Sequence, residues 1–172
     1  EPLFHQVFAP FMSARGFAGL HKRRTAADLL DGEALFFDTS KFRLVASELL
    51  EMRVPGHAVL DRDNVAVIAC LERLSDGVRL VVSSCHLLYN PKRGDVKLAQ
   101  LLRLAHAMEA MQRACGAAAV VACGDYNITA GSELYGVVLG SAVDVDAMDR
   151  RFVSGQERSA GRGRGPGRGR GQ

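Results

Sequence analysis

Two apolar runs in this chain stop abruptly at polar groups suited to chemistry on phosphorus. Ala118 to Cys123 leads into Gly124-Asp125-Tyr126-Asn127, and Val78 to Cys85 leads into His86-Leu87-Leu88-Tyr89-Asn90-Pro91. An apolar strand followed at once by His, or by Asp-x-Asn, sets those groups at a sheet rim, where sites commonly form. Asp125 and Asn127 are two apart, so extended geometry would turn both side chains to one side. Gly124 allows a tight exit or the close approach of a ligand. A carboxylate can orient and deprotonate an attacking water. An amide can hold that water or a phosphoryl oxygen, and a histidine can donate to a non-bridging oxygen as negative charge develops. Phosphate ester cleavage is the reaction this set suits. Magnesium would need only one or two carboxylates and would keep several waters. Taken singly, the signals stay open: Asp-x-Asn after a strand equally reads as turn chemistry, and His86 alone reads more readily as a hydrogen-bonded rim histidine. His5, His21, His57 and His106 have no comparable setting. Asp61-Arg62-Asp63-Asn64, ahead of a further strand, reads as a charged turn or as a site rim.

The elements that must position these groups follow from periodicity and turn signals. Glu1 to Gly16 repeats Leu3, Phe4, Val7, Phe8, Phe11 and Met12 at helical spacing, with Gly16 as C-cap. Strands are predicted over Phe17 to Thr25, Ala34 to Phe37, Phe42 to Met52, Asn64 to Leu71 and Val78 to Cys85, the last two joined by a hairpin turn at Ser75-Asp76-Gly77. Asp95 to Cys115 carries a broad apolar helical face, with Asp95 as its N-cap and Gly116 as its stop. Ala118 to Cys123 is predicted to be a buried strand, and Ser132 caps a short helix to Val138. This order describes an α/β layered domain with mixed strand directions, without a βαβ repeat.

Composition bounds the classes. The 172 residues suffice for one domain, and 48% are apolar, so a real core can form. No apolar run approaches the ~20 residues of a membrane span, and no signal pattern opens the chain. Glu1 is not an initiator Met, which predicts a chain cut from a longer one. The four cysteines have no CxxC or Cys/His zinc spacing, and Cys70, Cys85 and Cys123 sit in strand-like runs. Buried free thiols in a reducing compartment are predicted, with a cytoplasmic location ahead of a nuclear or organellar one. The net charge of +3 belongs to the tail: the last fifteen residues hold five arginines and no acid, and the remainder carries 17 basic and 19 acidic residues. Gly161 to Gln172 (GRGRGPGRGRGQ) predicts a disordered segment that either contacts RNA phosphates or is merely solvated.

Longer strings carry a resemblance. RLVVSSCHLLYNPKRGDVKLAQLLRL (79–104), VVACGDYN (120–127) with GSELY (131–135), and LDRDNVAV (60–67) resemble the endonuclease/exonuclease/phosphatase superfamily, and within it the Angel branch of the deadenylase and nocturnin group. GFAGLHKRRT (16–25), DGEALFF (31–37), SKF (40–42) and FVSGQERS (152–159) fit the same pattern. The resemblance implies a two-layered α/β sandwich with mixed sheets, present here as a partial domain over 1–157 that lacks its N-terminal and C-terminal ends, followed by the tail 158–172. It implies that His86 contacts the scissile phosphate, Asp125 orients or activates the water, and Asn127 binds the reacting phosphate or water. It further implies substrate contacts at Tyr89, Asn90 and Pro91 and, more weakly, at Asn64, whereas Asp95, Lys97 and Gln100 are as well explained as structural.

The departures from the family pattern are at the ends. The family's metal-binding glutamate, in a Leu-Gln-Glu motif, would fall just before Glu1, so no metal ligand is assigned. A late aspartate and a Ser-Asp-His motif have no counterpart, and Asp144, Asp146 and Asp149 do not match them. The expected function is a magnesium-dependent phosphoesterase of RNA ends, with Mn2+ as the alternative metal. It would shorten a poly(A)-type 3′ tail or open a 2′,3′-cyclic phosphate, and the isolated chain would be weak or inactive. The competing reading is a non-catalytic RNA-binding or translation-regulating adaptor. A calcineurin-like metallophosphatase wants Asp-x-His and Gly-Asn-His motifs that the chain does not carry.

Overall fold

The structure is a computed structural model and describes residues 2–26 and 29–157. The Gly/Arg tail and its expected RNA contact lie outside the described residues. A π-helical turn at Phe4–Phe8 continues into α1 (Ala9–Ser13). Strands β1 (Phe17–Arg23), β2 (Gly32–Asp38), β3 (Phe42–Glu51), β4 (Val65–Arg73) and β5 (Arg79–His86) come next. Helix α2 (Gly94–Cys115), strand β6 (Ala119–Asp125) and helix α3 (Glu133–Val138) complete the order that the periodicity predicts.

Strands β3, β4 and β5 pair antiparallel, and β6 adds to β5 in parallel, which makes a mixed four-stranded sheet. Strands β1 and β2 form a separate antiparallel ribbon. Strand β4 explains the layering. Ala66, Ile68 and Cys70 turn to one face and pack with Leu101, Leu104 and Met108 of α2. Val67, Ala69 and Leu71 turn to the other and pack with Leu35 and Phe37 of the ribbon. A strand covered on both faces has no polar side, so its sequence is a continuous apolar run rather than an alternation. Each large aliphatic side chain withdrawn from water there contributes about 1.5–3 kcal/mol.

The ends of the elements follow their local signals with one exception. The β4–β5 hairpin closes through Arg73 N–H to the Val78 carbonyl at 2.8 Å. Helix α2 stops at Gly116 in the left-handed region, and the Ser132 hydroxyl accepts the Tyr135 N–H at 3.2 Å to start α3. The exception is Asp95, which is not the N-cap of α2. It lies inside the first turn, paired with Arg93 at 2.9 Å, where its charge still favours the helix dipole.

Strand β6 corrects a second expectation. It is not buried: every residue from Ala119 to Asp125 is exposed. Among the described residues it is the last strand of its sheet, paired only with β5, and the core under α2 takes in Ala117 and Tyr126 at its two ends but no side chain between them. Cys123 is therefore exposed, whereas Cys70 and Cys85 are buried, and all four cysteines are free. The N-terminal helical segment likewise forms, but Leu3, Val7, Phe8 and Phe11 on its apolar face are exposed. Among the described residues no helix is long and apolar enough to cross a membrane.

Candidate active site

Parallel pairing of β5 and β6 places His86 opposite Asp125 in register, at the carboxyl ends of both strands. Ligands commonly meet open α/β sheets at such ends. His86 Nε2 lies 3.8 Å from Asp125 Oδ2, and both side chains are more than half exposed. The strand pairing persists for one more step, with Leu87 N–H donating to the Asp125 carbonyl at 2.9 Å. The chain then turns. Asn127 has φ 51°, and its N–H donates to Asp125 Oδ1 at 2.8 Å. The pair is thus joined by an Asx turn, not by the extended geometry expected from its spacing. Asn127 Nδ2 donates to the Leu87 carbonyl at 2.9 Å, and its Oδ1 accepts from Gln156 Nε2 at 3.3 Å. One carboxylate oxygen of Asp125 is fixed by the turn and the other faces the imidazole.

The remaining expected site residues spread around this corner. Asn64 is buried beneath it. Its Nδ2 donates to the His86 carbonyl at 2.8 Å and its Oδ1 accepts from Gln100 Nε2 at 2.9 Å. Gln100 Oε1 in turn accepts the Leu88 N–H at 2.9 Å. Asn64 and Gln100 therefore brace the exit of β5. Tyr89 is 72% exposed, so its ring is free to meet a ligand. Asn90 Oδ1 accepts the Lys92 N–H at 3.0 Å within its own turn, and the Pro91 carbonyl accepts the Ser154 hydroxyl at 3.4 Å. Of the acidic run before β4, Asp61 pairs with Arg53 at 2.6 Å, and Asp63 accepts the Thr25 and Ala26 N–H groups, each at 2.7 Å. That run is a charged anchor between loops.

A cleft of about 130 Å³ opens beside His86, lined by Arg24, Asp31, Glu33, Asn64, Val65, Leu87, Leu88 and Tyr89. Burial raises the pKa of Glu33, opposed in part by the Ser84 hydroxyl that donates to it at 3.0 Å and by His86. Glu33 and Arg24 lie in the family-like DGEALFF and GFAGLHKRRT strings, but nothing in those strings marks them as site residues. Gln156 was also missed as a site residue, although it lies within the family-like FVSGQERS string, because its contact with Asn127 spans 29 residues. Lys97 is fully buried and donates to Gln156 Oε1. Burial pushes its pKa down to about 8, with the Asp125 carboxylate acting in the opposite sense.

Among the described residues no three His, Cys, Asp or Glu side chains gather closely enough to hold a metal ion. Asp125 offers one exposed carboxylate, which does not by itself make a magnesium site.

A mixed sheet layered between a helix and a two-stranded ribbon, with a histidine and an Asp-x-Asn corner at the ends of parallel strands, is the architecture of an endonuclease/exonuclease/phosphatase-type α/β domain. Comparison with known proteins agrees. The chain superposes on the crystal structure of ANGEL2, described as a 2′,3′-cyclic phosphatase in complex with adenosine-2′,3′-vanadate, with a TM-score of 0.85 and 33% identity, covering 95% of this chain and 47% of that one. The human Nocturnin catalytic domain gives a TM-score of 0.72 at 23% identity over 83% of this chain and 54% of that one, which bears on the fold alone. In sequence, the chain is 36% identical to carbon catabolite repressor protein 4 homolog 3 of Arabidopsis thaliana over 148 residues, and 35% identical to protein angel homolog 2 of Danio rerio over 164 residues. These matches take in 85% and 92% of this chain but only 32% and 29% of the relatives' own lengths. No family model matches. The chain belongs to the endonuclease/exonuclease/phosphatase superfamily, in its Angel and deadenylase group, and spans about half of the domain seen in its structural neighbours.

Proposed function

We propose that this chain carries the water-activating side of a phosphoesterase site that acts on RNA ends. The observation that carries the reading is the His86–Asp125 pair, 3.8 Å apart across two parallel strand ends, with the Asn127 amide held beside it. In this reading Asp125 orients the attacking water and takes its proton through the oxygen that faces the imidazole. His86 donates to a non-bridging phosphate oxygen as charge builds. Asn127 has a second amide proton beyond the one held by Leu87, and offers it to the phosphoryl group or the water. The terminal nucleotide lies over the cleft beside Asn64, against Tyr89, Asn90 and Pro91.

Likeness to a protein described as a 2′,3′-cyclic phosphatase favours a cyclic phosphate terminus, with a poly(A)-type 3′ tail as the second substrate. Dependence on Mg2+, or on Mn2+, belongs to the same proposal. The described residues supply no carboxylate cluster for such an ion, so turnover by the 172 residues alone is expected to be weak or nil. The first test is therefore recognition.

Fluorescence anisotropy with Mg2+ or Mn2+ present would compare one RNA oligonucleotide bearing a 2′,3′-cyclic phosphate, a 3′-hydroxyl or an oligo(A) end. The expected result is a preference for the cyclic phosphate or oligo(A) end that His86→Ala weakens. Any slow single-turnover loss of that end should vanish in Asp125→Ala. Equal binding of all three ends, unchanged by His86→Ala, would overturn the reading. So would turnover that survives Asp125→Ala.

A further inference from the structure

Lys97 lies in the first turn of α2 and is fully buried, an unusual place for a lysine. Its ammonium donates to Gln156 Oε1. Gln156 Nε2 donates to Asn127 Oδ1 at 3.3 Å, and Asn127 Nδ2 donates to the Leu87 carbonyl at 2.9 Å. The line runs in one sense from cation to carbonyl, and its chemistry permits no other sense. An ammonium has only donors and a backbone carbonyl only accepts. With those two ends fixed, Gln156 must turn its oxygen to Lys97 and its NH2 outward. Asn127 must then accept on Oδ1 and donate through Nδ2. If the amide of Asn127 were reversed, its oxygen would face the Leu87 carbonyl, and the site would meet an acceptor where a phosphate needs a donor.

The segment that carries Gln156 is itself tied down. Gly94 N–H donates to the Arg150 carbonyl at 2.8 Å, Thr129 N–H donates to the Ser154 carbonyl at 3.0 Å, and Val153 packs into a small core with Leu98 and Leu134. Gln156 is therefore presented from a fixed backbone to both Lys97 and Asn127.

We propose that Lys97, acting through Gln156, is a positioning residue that sets which way the Asn127 amide faces. Its use to the site rests on the phosphoesterase reading, because only a phosphate or its attacking water would need that donor. The orientation itself does not depend on that reading. Asn127 holds its amide against Leu87 whether or not RNA binds.

Two variants test the proposal. Lys97→Met removes the donor and the charge but keeps an unbranched apolar side chain that suits the buried position, so the fold should be kept or strengthened. Gln156→Glu still accepts from Lys97 but cannot donate to Asn127. The first readout is the side-chain NH2 signal pair of Asn127 in 1H–15N spectra, identified by its loss in Asn127→Asp. In both variants the pair should shift and exchange faster with water. The second readout is the preference for a cyclic phosphate over a 3′-hydroxyl end, which should fall by a few-fold to about tenfold, as for the loss of one oriented hydrogen bond. Over the same series, the melting temperature of Lys97→Met should hold or rise, which a merely structural lysine would not allow. If Lys97→Met does not fold, Gln156→Glu carries both readouts. Unchanged Asn127 signals in the folded variants would overturn the proposal. If the wild-type chain shows no preference between ends, the phosphoesterase reading fails, while the Asn127 signals still decide the positioning role.

Discussion

Gly124→Ala tests whether the His86–Asp125 geometry depends on how closely β5 and β6 approach one residue earlier. Gly124 has φ +135°, a conformation that costs a residue with a side chain about 1–3 kcal/mol. A Cβ added there would also lie 2.8 Å from the Cys85 nitrogen and 2.9 Å from its carbonyl carbon, with the Cys85 oxygen closer still. All three are backbone atoms of the paired strand, so no rotamer change relieves them. Ordinary contact begins near 3.4 Å, so the strands must part by about half an ångström or more at Cys85 and Gly124. Weakening one or two hydrogen bonds of the strand pairing adds about 1–2 kcal/mol. The sum, about 2–5 kcal/mol, is a large share of the stability of a small domain. Gly140→Ala is the control: φ is +92°, but nothing lies within 4 Å of the added atom, so only backbone strain remains. Urea denaturation should therefore show Gly124→Ala less stable than Gly140→Ala by about 1–2 kcal/mol. At temperatures where both are folded, only Gly124→Ala should lose discrimination between RNA ends. Equal denaturation midpoints for the two variants would refute the argument that the strand approach at Gly124 holds the site.

Three further outcomes are expected. Asn64→Ala leaves the His86 carbonyl and Gln100 Nε2 without their present partner in a buried setting, which should cost about 2–4 kcal/mol in urea denaturation; a cost below about 0.5 kcal/mol would show that water fills the gap. Ser83→Ala should be neutral or stabilising by up to about 1 kcal/mol, because the Ser83 hydroxyl is buried without a hydrogen-bond partner among the described residues; a clear loss of stability by calorimetry would show a further partner. Stability should also fall above about pH 9, with a slope that Lys97 opposes. Burial raises the Cys85 thiol from 9.0 to about 12 and, with help from Cys115, the Cys70 thiol to about 11, so the unfolded chain loses those protons first and is favoured as pH rises. Lys97, pushed down by burial from 10.5 to about 8, gives the reverse: between those values the unfolded chain holds more protons, and the fold gains as pH rises. Melting temperatures from pH 8 to 10.5 should therefore drop more steeply in Lys97→Met than in the wild-type chain, and parallel curves would refute the burial of a titrating Lys97.

Local physics made most of the fold legible. The 3.6-residue apolar period of α2, the two-sided apolar run of β4 and the Asp76-Gly77 turn each settle their own element without help from elsewhere. The errors have a common cause. Val120 and Val121 look like core residues because β propensity and apolar character read alike in buried and edge strands, and only the sheet order shows that β6 is the outermost strand among the described residues. Asp95 looks like an N-cap because the residue type is right, but the helix begins one step earlier and Arg93 claims the carboxylate. At the site, His86 and Asp125 could be nominated from strand ends, and the longer strings named their family. Their pairing is a matter of parallel register, which no local pattern specifies. Gln156 is the extreme case, since its meaning lies wholly in a contact with Asn127 far away in sequence.

The first turns of α2 explain why such distant contacts converge. Lys97 and Gln100 are three residues apart, so they share one helix face, and that face is turned toward the ends of β5 and β6. Gln100 holds the exit of β5 at two points, directly at the Leu88 N–H and through Asn64 at the His86 carbonyl. Lys97 holds the exit of β6 through Gln156 and Asn127. Each strand end of the candidate site is thus referred to the same rigid helix rather than to its neighbour alone. That matters because His86 and Asp125 are exposed and touch each other only across 3.8 Å, a contact too weak in water to set its own distance. Any fixed spacing of the pair has to come from the buried amides behind it. Burying Lys97 and Gln100, which is costly for polar side chains in isolation, is tolerable because their donors and acceptors are matched along lines that end on backbone groups at the exit of β5, the Lys97 line passing through the Asn127 side chain just beyond β6. The helix serves as core on its Leu101, Leu104 and Met108 side and as a positioning frame at its start, and the polar interruption of its apolar face marks where one role gives way to the other.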